Sequence, residues 1–464
     1  MPTRLSGIDA AFLHLETRTV HMHVASAIIL DPSTAPRGTL HVEELKEHIG
    51  SRLHLAPMFR RRLQPVPLRL SNPVWIDDPE FDLDHHVHRV VLPTPGGMDD
   101  LAELMDDFMS RPLDRDRPLW EVWLIEGLAD GRVALCTKSH HAVVDGVSGV
   151  ELLAAILETS PEPEPPPPGG DREPEEAPSG TRLLLDAGRH LASRPWKALG
   201  VARQLTESAT GLLWLNRQGV DLPPPPFTAP MTVFNGAIGP RRRVAFARVS
   251  LDEVKDVKNT FDTTVNDVLL AGVAGALRAY LHEHDEPVDS PLVAMVPIST
   301  HVDSTGGGNQ VSAMLVGLPT HLDDPLERLR AVSESTASAK QQHGALGAET
   351  IQQVAELAPA GVFSMAARLY TRARAADRHR PIWNLVVSNV PGPRVGLYCA
   401  GARLEEIYPI GPVHETSGLN VTLFSYGSTV HVGLNADADM VPDVGVIGQR
   451  IQGSVAELVQ RLSR

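Results

Sequence analysis

The chain has 464 residues, with 42 basic and 57 acidic side chains, a formal charge of −15, 42% apolar residues and two cysteines. So acidic a chain lacks the basic surface a sequence-blind nucleic-acid binder needs to displace counterions, and nucleic acid is excluded as a partner. Cys136 and Cys399 are too few for a disulfide framework or a zinc knuckle, which predicts a reducing compartment.

In chain order, Met1-Pro2-Thr3-Arg4 meets Asp9 before any long apolar run, so no signal peptide is expected. No stretch of about 18 uncharged apolar residues follows, so no membrane-spanning helix is expected either. Helical patterns at 101–109, 147–157 and 265–281 alternate with β-branched runs at 133–137, 292–297, 382–388 and 430–434. That alternation predicts an α/β fold in two units, as the length also suggests at about 100–200 residues per domain. The 39 prolines cluster at the break: residues 161–180 hold eight prolines, three glycines and six acids. Such a segment can neither continue a helix nor bury a core, and reads as a solvated, semi-rigid linker. Residues 181–218 carry nine leucines in loose helical spacing, a connector or, through Trp196 and Trp214, a membrane-surface contact. The expected units are therefore 1–160, a connector 161–230, and 231–464.

Chemistry concentrates in HHAVVDG, His140 to Gly146, between the strand at 133–137 and the helix at 147–157. A strand-to-helix turn holds a side chain at the mouth of a cleft. Histidine is the natural general base there, because its unperturbed pKa lies near neutral pH. Asp145 can fix the local geometry, with Gly146 relieving the turn. The pair could also ligate a metal, but no glutamate or cysteine stands nearby, so none is expected. Asp82-Leu83-Asp84-His85-His86-Val87-His88 looks metal-like in isolation; without a following Asp-Gly turn it reads as structural. Thr264-Val265-Asn266-Asp267 reads as a capping box opening a helix. Asn266 in that first turn either helps hold an oxyanion or pins the two halves together, and the residues alone leave both open. Trp120 reads as a core anchor. Arginine groups at 60–62, at 241–243, and at 368, 372, 374, 378 and 380 could meet phosphates or an anionic surface.

HHAVVDG resembles the HHxxxDG signature of the CoA-dependent acyltransferase superfamily, and further segments resemble its bacterial wax ester synthase/diacylglycerol acyltransferase branch. These are Leu5-Ser6-Gly7-Ile8-Asp9-Ala10-Ala11-Phe12-Leu13 with Met22-His23-Val24, Pro73-Val74-Trp75 with Asp78-Pro79, and Pro118-Leu119-Trp120-Glu121. In the second half they are Thr264-Val265-Asn266-Asp267-Val268, Ser388-Asn389-Val390-Pro391-Gly392-Pro393, and Gly418-Leu419-Asn420-Val421 with Ser425-Tyr426. The match covers both flanks in order and fails in the linker.

This resemblance implies an α+β sandwich of two chloramphenicol-acetyltransferase-like domains, with substrates meeting in a channel between them. It places His141 as general base beside His140, with Asp145 structural and Gly146 in the turn. Asn266 is a possible oxyanion donor, and Asn266, Asp267, Arg374 and Arg378 are candidates for substrate binding. Acyl-CoA is then a substrate, with no further cofactor and no metal. Diacylglycerol or a long-chain alcohol is the acceptor, met in the cytoplasm at the inner membrane or a lipid-droplet surface. Two other readings share the motifs. One is a condensation-type or polyketide-associated acyltransferase with a carrier-bound donor. The other is a non-catalytic lipid-surface protein, against which the intact His140, His141, Asp145 and Gly146 speak.

Overall fold

The structure, a computed structural model, describes residues 3–5, 7–143, 156–162, 166, 178–189, 227–299, 311–346 and 360–463. Asp145, Gly146, the predicted helix at 147–157 apart from its last two residues, and most of 161–226, with Trp196 and Trp214, lie outside them.

Two six-stranded mixed sheets form the framework. The first runs β12 (Tyr398–Cys399), β13 (Ala402–Ile410), β2 (His23–Asp31), β7 (Val133–His140), β6 (Trp120–Leu128), β5 (Val87–Gly96). The second runs β10 (Val311–Leu318), β9 (Leu292–Ser299), β11 (Leu385–Pro391), β14 (Leu419–Tyr426), β15 (Thr429–Asp437), β8 (Arg242–Ser250). A small third sheet joins β1 (Thr3–Arg4), β4 (Val74–Asp77) and β3 (Arg61–Gln64). The helices among the described residues include α1 (Gly7–Leu15), α2 (Val42–Arg52), α3 (Met98–Ser110), α4 (Leu251–Thr260) and α5 (Val265–Glu283). They continue with α6 (Pro325–Leu346), α7 (Ala360–Arg372) and α8 (Val444–Gln460).

Successive strand residues face opposite sides, and β2 buries both. Ile28 and Leu30 pack with Leu45 and Ile49 of α2, while Ala27 and Ile29 pack with Leu101, Met105 and Phe108 of α3. Covered on both faces, β7 is buried along its whole length. In the second unit α5 lies against α8, and small residues set the approach. A Cβ at Gly272 would stand 2.8 Å from Val455, and one at Gly275 2.4 Å from Ser454.

The sheets do not follow the order of the chain. β13, from the second half, pairs antiparallel with β2 of the first, Ile410 opposite Ala25 and Arg403 opposite Asp31. The strand also touches the second sheet, where a Cβ at Gly433 would lie 1.8 Å from the Pro409 carbonyl oxygen. The crossing strand thus stitches the two halves by backbone hydrogen bonds. Arg242 adds to the seam: its backbone N–H donates to Ser110 Oγ at 2.9 Å, and its guanidinium donates to the Thr19 carbonyl.

The helices expected at 101–109 and 265–281 are α3 and α5, each slightly longer. One strand starts later than expected. Residues 382–384 precede β11, because fully buried Asn384 takes the ladder's place: its Oδ1 accepts from Val293 N–H at 2.8 Å, and its Nδ2 donates to Pro230 O at 2.6 Å. Within the connector, residues 180–189 are helical and bury Leu183 and Ala187 against Val66, Val74 and Ile76 of the small sheet region.

Candidate active site

β7 ends at His140, and its ladder with β2 places His140 opposite His23. The His141 N–H then donates to Met22 O at 2.7 Å. This pairing sets the two imidazoles in different surroundings. His140 is 1% exposed, and its Nδ1 accepts from Ala142 N–H at 3.0 Å. The neutral ring therefore carries its proton on Nε2, which lies 3.4 Å from Glu16 Oε2. His141 is half-buried, its ring stacked on Phe12 at 4.1 Å. Phe12 and Met22 pack with Val20, Ile238, Val413 and Met440, so residues of both halves surround this ring.

Behind the pair sits a carboxylate that no motif had singled out. Glu16 Oε1 stands 3.4 Å from His23 Nε2 and 3.6 Å from His21 Nδ1, and Arg115 donates to Oε2. Burial works against its charge, yet the imidazoles of His140, His21 and His23 hold the carboxyl far below its usual range. His23, 0% exposed, is pushed down to about 3 by burial despite that carboxylate. A sequence signal for this cluster existed: His21 and His23 stand two residues apart at the start of β2, a spacing that puts both on one face of extended chain. What no spacing could supply was Glu16 as their common partner.

Burial also lowers His141 to about 4, with small repulsions from His140 and His414; burial takes His414 to about 4 as well. An imidazole so placed is neutral at pH 7, the form a general base needs. If His141 is the base, kcat/KM stays level as pH falls below 6.5 and drops only near 4, where the ring protonates. An acid limb centred near 6.5 in initial-rate profiles would contradict this environment. Stability follows the same sign: the fold keeps His23, His141 and His414 neutral, while the unfolded chain binds protons below about 6.5. Stability is therefore full above that value and is lost as pH falls toward 4.

The other predicted residues divide. Thr264 and Asp267 form the capping box, Asp267 N–H donating to Thr264 Oγ1 at 3.1 Å and Thr264 N–H to Asp267 Oδ2 at 3.0 Å. Asp267 is 2% exposed and also accepts from Thr336 Oγ1 at 2.7 Å. Its carboxylate oxygens are thus occupied inside the fold, by the helix cap and by Thr336. Asn266, the second residue of α5, accepts on Oδ1 from Asn389 Nδ2 at 3.2 Å, joining the TVND and NVPGP segments. That leaves its amide N–H groups for another acceptor. A Cβ at Gly392 would stand 2.1 Å from Ser425 O and 2.4 Å from the Phe424 ring, so the loop needs glycine for space. Gly392→Ala is expected to cost about 1–3 kcal/mol through forced displacement of this loop, read as a lower Tm.

Trp120 is buried, its Nε1 donating to Phe59 O at 2.8 Å, and His86 stacks on it at 4.5 Å. The histidine-rich 82–88 segment is thus partly core. Among the described residues no group of three or more His, Cys, Asp or Glu side chains is placed to hold a metal ion. Two arginines of each of the first two groups pair within the protein: Arg61 and Arg62 with Asp77 and Asp78, and Arg241 and Arg243 with Asp439 and Asp106. Arg374 donates to Asp377 at 2.8 Å on the surface, and Arg378 is exposed. Neither meets His141 or Asn266 through any contact among the described residues.

Two mixed sheets, the first completed by strands from the second half, with a paired-histidine strand end at their seam, define the fold shared by condensation domains and CoA-dependent acyltransferases. The first condensation domain of the calcium-dependent antibiotic synthetase has this fold, with a TM-score of 0.57 at 16% identity over 100% of this chain and 96% of that one. The chain belongs to the wax ester synthase/diacylglycerol acyltransferase family, matching its catalytic domain over residues 5–269 and its C-terminal domain over 307–459. A Mycobacterium tuberculosis protein provisionally named a diacylglycerol O-acyltransferase is 37% identical over 98% of this chain and 90% of its own length. A second from that organism, similarly named, is 38% identical over 94% and 92%. The solved wax ester synthase/diacylglycerol acyltransferase of Marinobacter aquaeolei VT8 is 30% identical, with a TM-score of 0.68 and full coverage of both chains.

Proposed function

We propose that the protein moves a long-chain acyl group from acyl-CoA to a hydroxyl of diacylglycerol or of a long-chain alcohol, with His141 as general base. The observation that carries the reading is the half-buried His141 ring, kept neutral by burial, at a seam formed by both halves. An imidazole nitrogen takes the hydroxyl proton as the oxygen attacks the thioester carbonyl carbon. The tetrahedral oxyanion collapses, the C–S bond breaks, and the imidazolium returns its proton to the departing CoA thiolate. No acyl-enzyme and no cofactor is needed, because a thioester is already activated.

Asn266 is the candidate donor to the oxyanion, its carbonyl end anchored by Asn389 and its position in the first turn of α5 adding the helix's positive end. The roles expected of Asp145 and Gly146 fall outside the described residues. Diacylglycerol and long-chain alcohols reside in lipid, so the enzyme works at a membrane or lipid-droplet surface; no helix among the described residues is long and apolar enough to cross one. The test is incubation with palmitoyl-CoA and dioleoylglycerol, or separately hexadecanol, in detergent micelles, scoring ester and released thiol. Formation of either ester supports the reading. Absence of both overturns it in favour of a carrier-bound donor or a non-catalytic role.

A further inference from the structure

Helix α7 has two unlike faces. Inward, Ser364 Oγ and His14 Nδ1 of α1 are 2.8 Å apart, and Thr371 Oγ1 donates to Glu415 Oε1 at 2.6 Å. α1 carries Phe12, on which His141 stacks, and Glu415 follows His414. The helix therefore lies over the elements that surround the candidate base. Outward, it presents Met365 and Leu369, each 65% exposed, with Ala366, Arg368, Arg372 and Ala373 also exposed.

That outward face departs from a solvated surface in two respects. Large apolar side chains one turn apart stand in water, with little polar surface between them. Its charge is also of one sign: residues 360–380 hold five arginines and one aspartate, in a chain of net −15. The aspartate is Asp377, paired with Arg374; Arg368 and Arg372 have no ion-pair partner among the described residues. At the same end Phe227, 52% exposed, rests its ring against His379, itself in contact with Tyr370 of α7. Apolar side chains flanked by arginines on an amphipathic helix match an anionic bilayer, with the apolar groups entering the acyl boundary and the guanidiniums meeting headgroup phosphates.

We infer that the outward face of α7, with Met365 and Leu369 as apolar anchors and Arg368 and Arg372 as headgroup contacts, docks the protein on anionic lipid membranes beside the elements that surround the candidate base. The inference rests on the acyltransferase reading, since a lipid acceptor would then enter next to the helix that touches both α1 and the 414–417 turn. The other expected membrane contact, the 181–218 connector with Trp196 and Trp214, lies outside the described residues beyond 189.

The test uses the full chain and sucrose-loaded vesicles of phosphatidylcholine with or without phosphatidylglycerol. Wild-type protein is expected to sediment with the anionic vesicles, less so at high salt. Arg368→Gln with Arg372→Gln should weaken that partitioning by about thirty-fold, the loss for two arginines near an anionic surface. Met365→Ser with Leu369→Ser should weaken it too, lowering turnover of vesicle-embedded diacylglycerol while leaving turnover in detergent micelles at the wild-type level. Wild-type protein that ignores anionic vesicles, or variants that bind them equally, overturns the inference. So does an arginine variant whose only defect is a raised KM for acyl-CoA in micelles, which would assign the cluster to CoA phosphates. Failure of the wild type to form ester in micelles counts against the acyltransferase reading alone, because sedimentation is scored without turnover.

Discussion

His141→Ala is expected to lower acyl transfer by about 10²–10⁴-fold, the usual contribution of a positioned general base, with the fold retained. The ring is half-buried and loses mainly its stack on Phe12, worth about 1 kcal/mol, so Tm should fall by only a few degrees. His140→Ala provides the contrast: that ring is 1% exposed, accepts from Ala142 N–H and faces Glu16. Its loss should reduce stability and activity together. Rates with palmitoyl-CoA and thermal unfolding of both variants separate the roles. A His141→Ala protein that keeps most of its turnover would remove the base assignment.

The second large effect falls on Glu16. Its carboxylate accepts from Arg115 and lies among His21, His23 and His140, all buried. Glu16→Ala leaves a guanidinium and three imidazoles without their shared acceptor. Leaving these buried groups without their acceptor costs about 1–3 kcal/mol, a Tm loss of a few degrees. Because His140 precedes the base directly, Glu16→Gln, which keeps the shape but not the charge, should lower kcat more than it raises KM. Unchanged kcat in a folded Glu16→Gln protein would reduce the network to a purely structural role.

Several features were legible in the sequence because local chemistry carries them. The capping box at Thr264 and Asp267 needs only a hydroxyl and a carboxylate three residues apart. The paired histidines at a strand end are also a property of neighbouring residues. The family resemblance rests on such segments, and the comparisons bear it out along the chain.

Tertiary structure decided what depends on distant partners. β13 leaves the second half to pair with β2, a contact across nearly four hundred residues made by backbone groups that leave no mark on side-chain identity. The three arginine groups look alike in sequence, but Asp77, Asp78, Asp106 and Asp439 pair with two arginines in each of the first two, while Arg368 and Arg372 of α7 face outward. Asp267 reads as a potential ligand until Thr336 and the helix cap account for its oxygens. Glu16 becomes the partner of His140 only when α1 folds against the end of β7. The sequence determined which groups can do chemistry; which of them meet was settled by long-range pairing and burial, where a carboxylate, an imidazole or a guanidinium acquires its charge state from its neighbours.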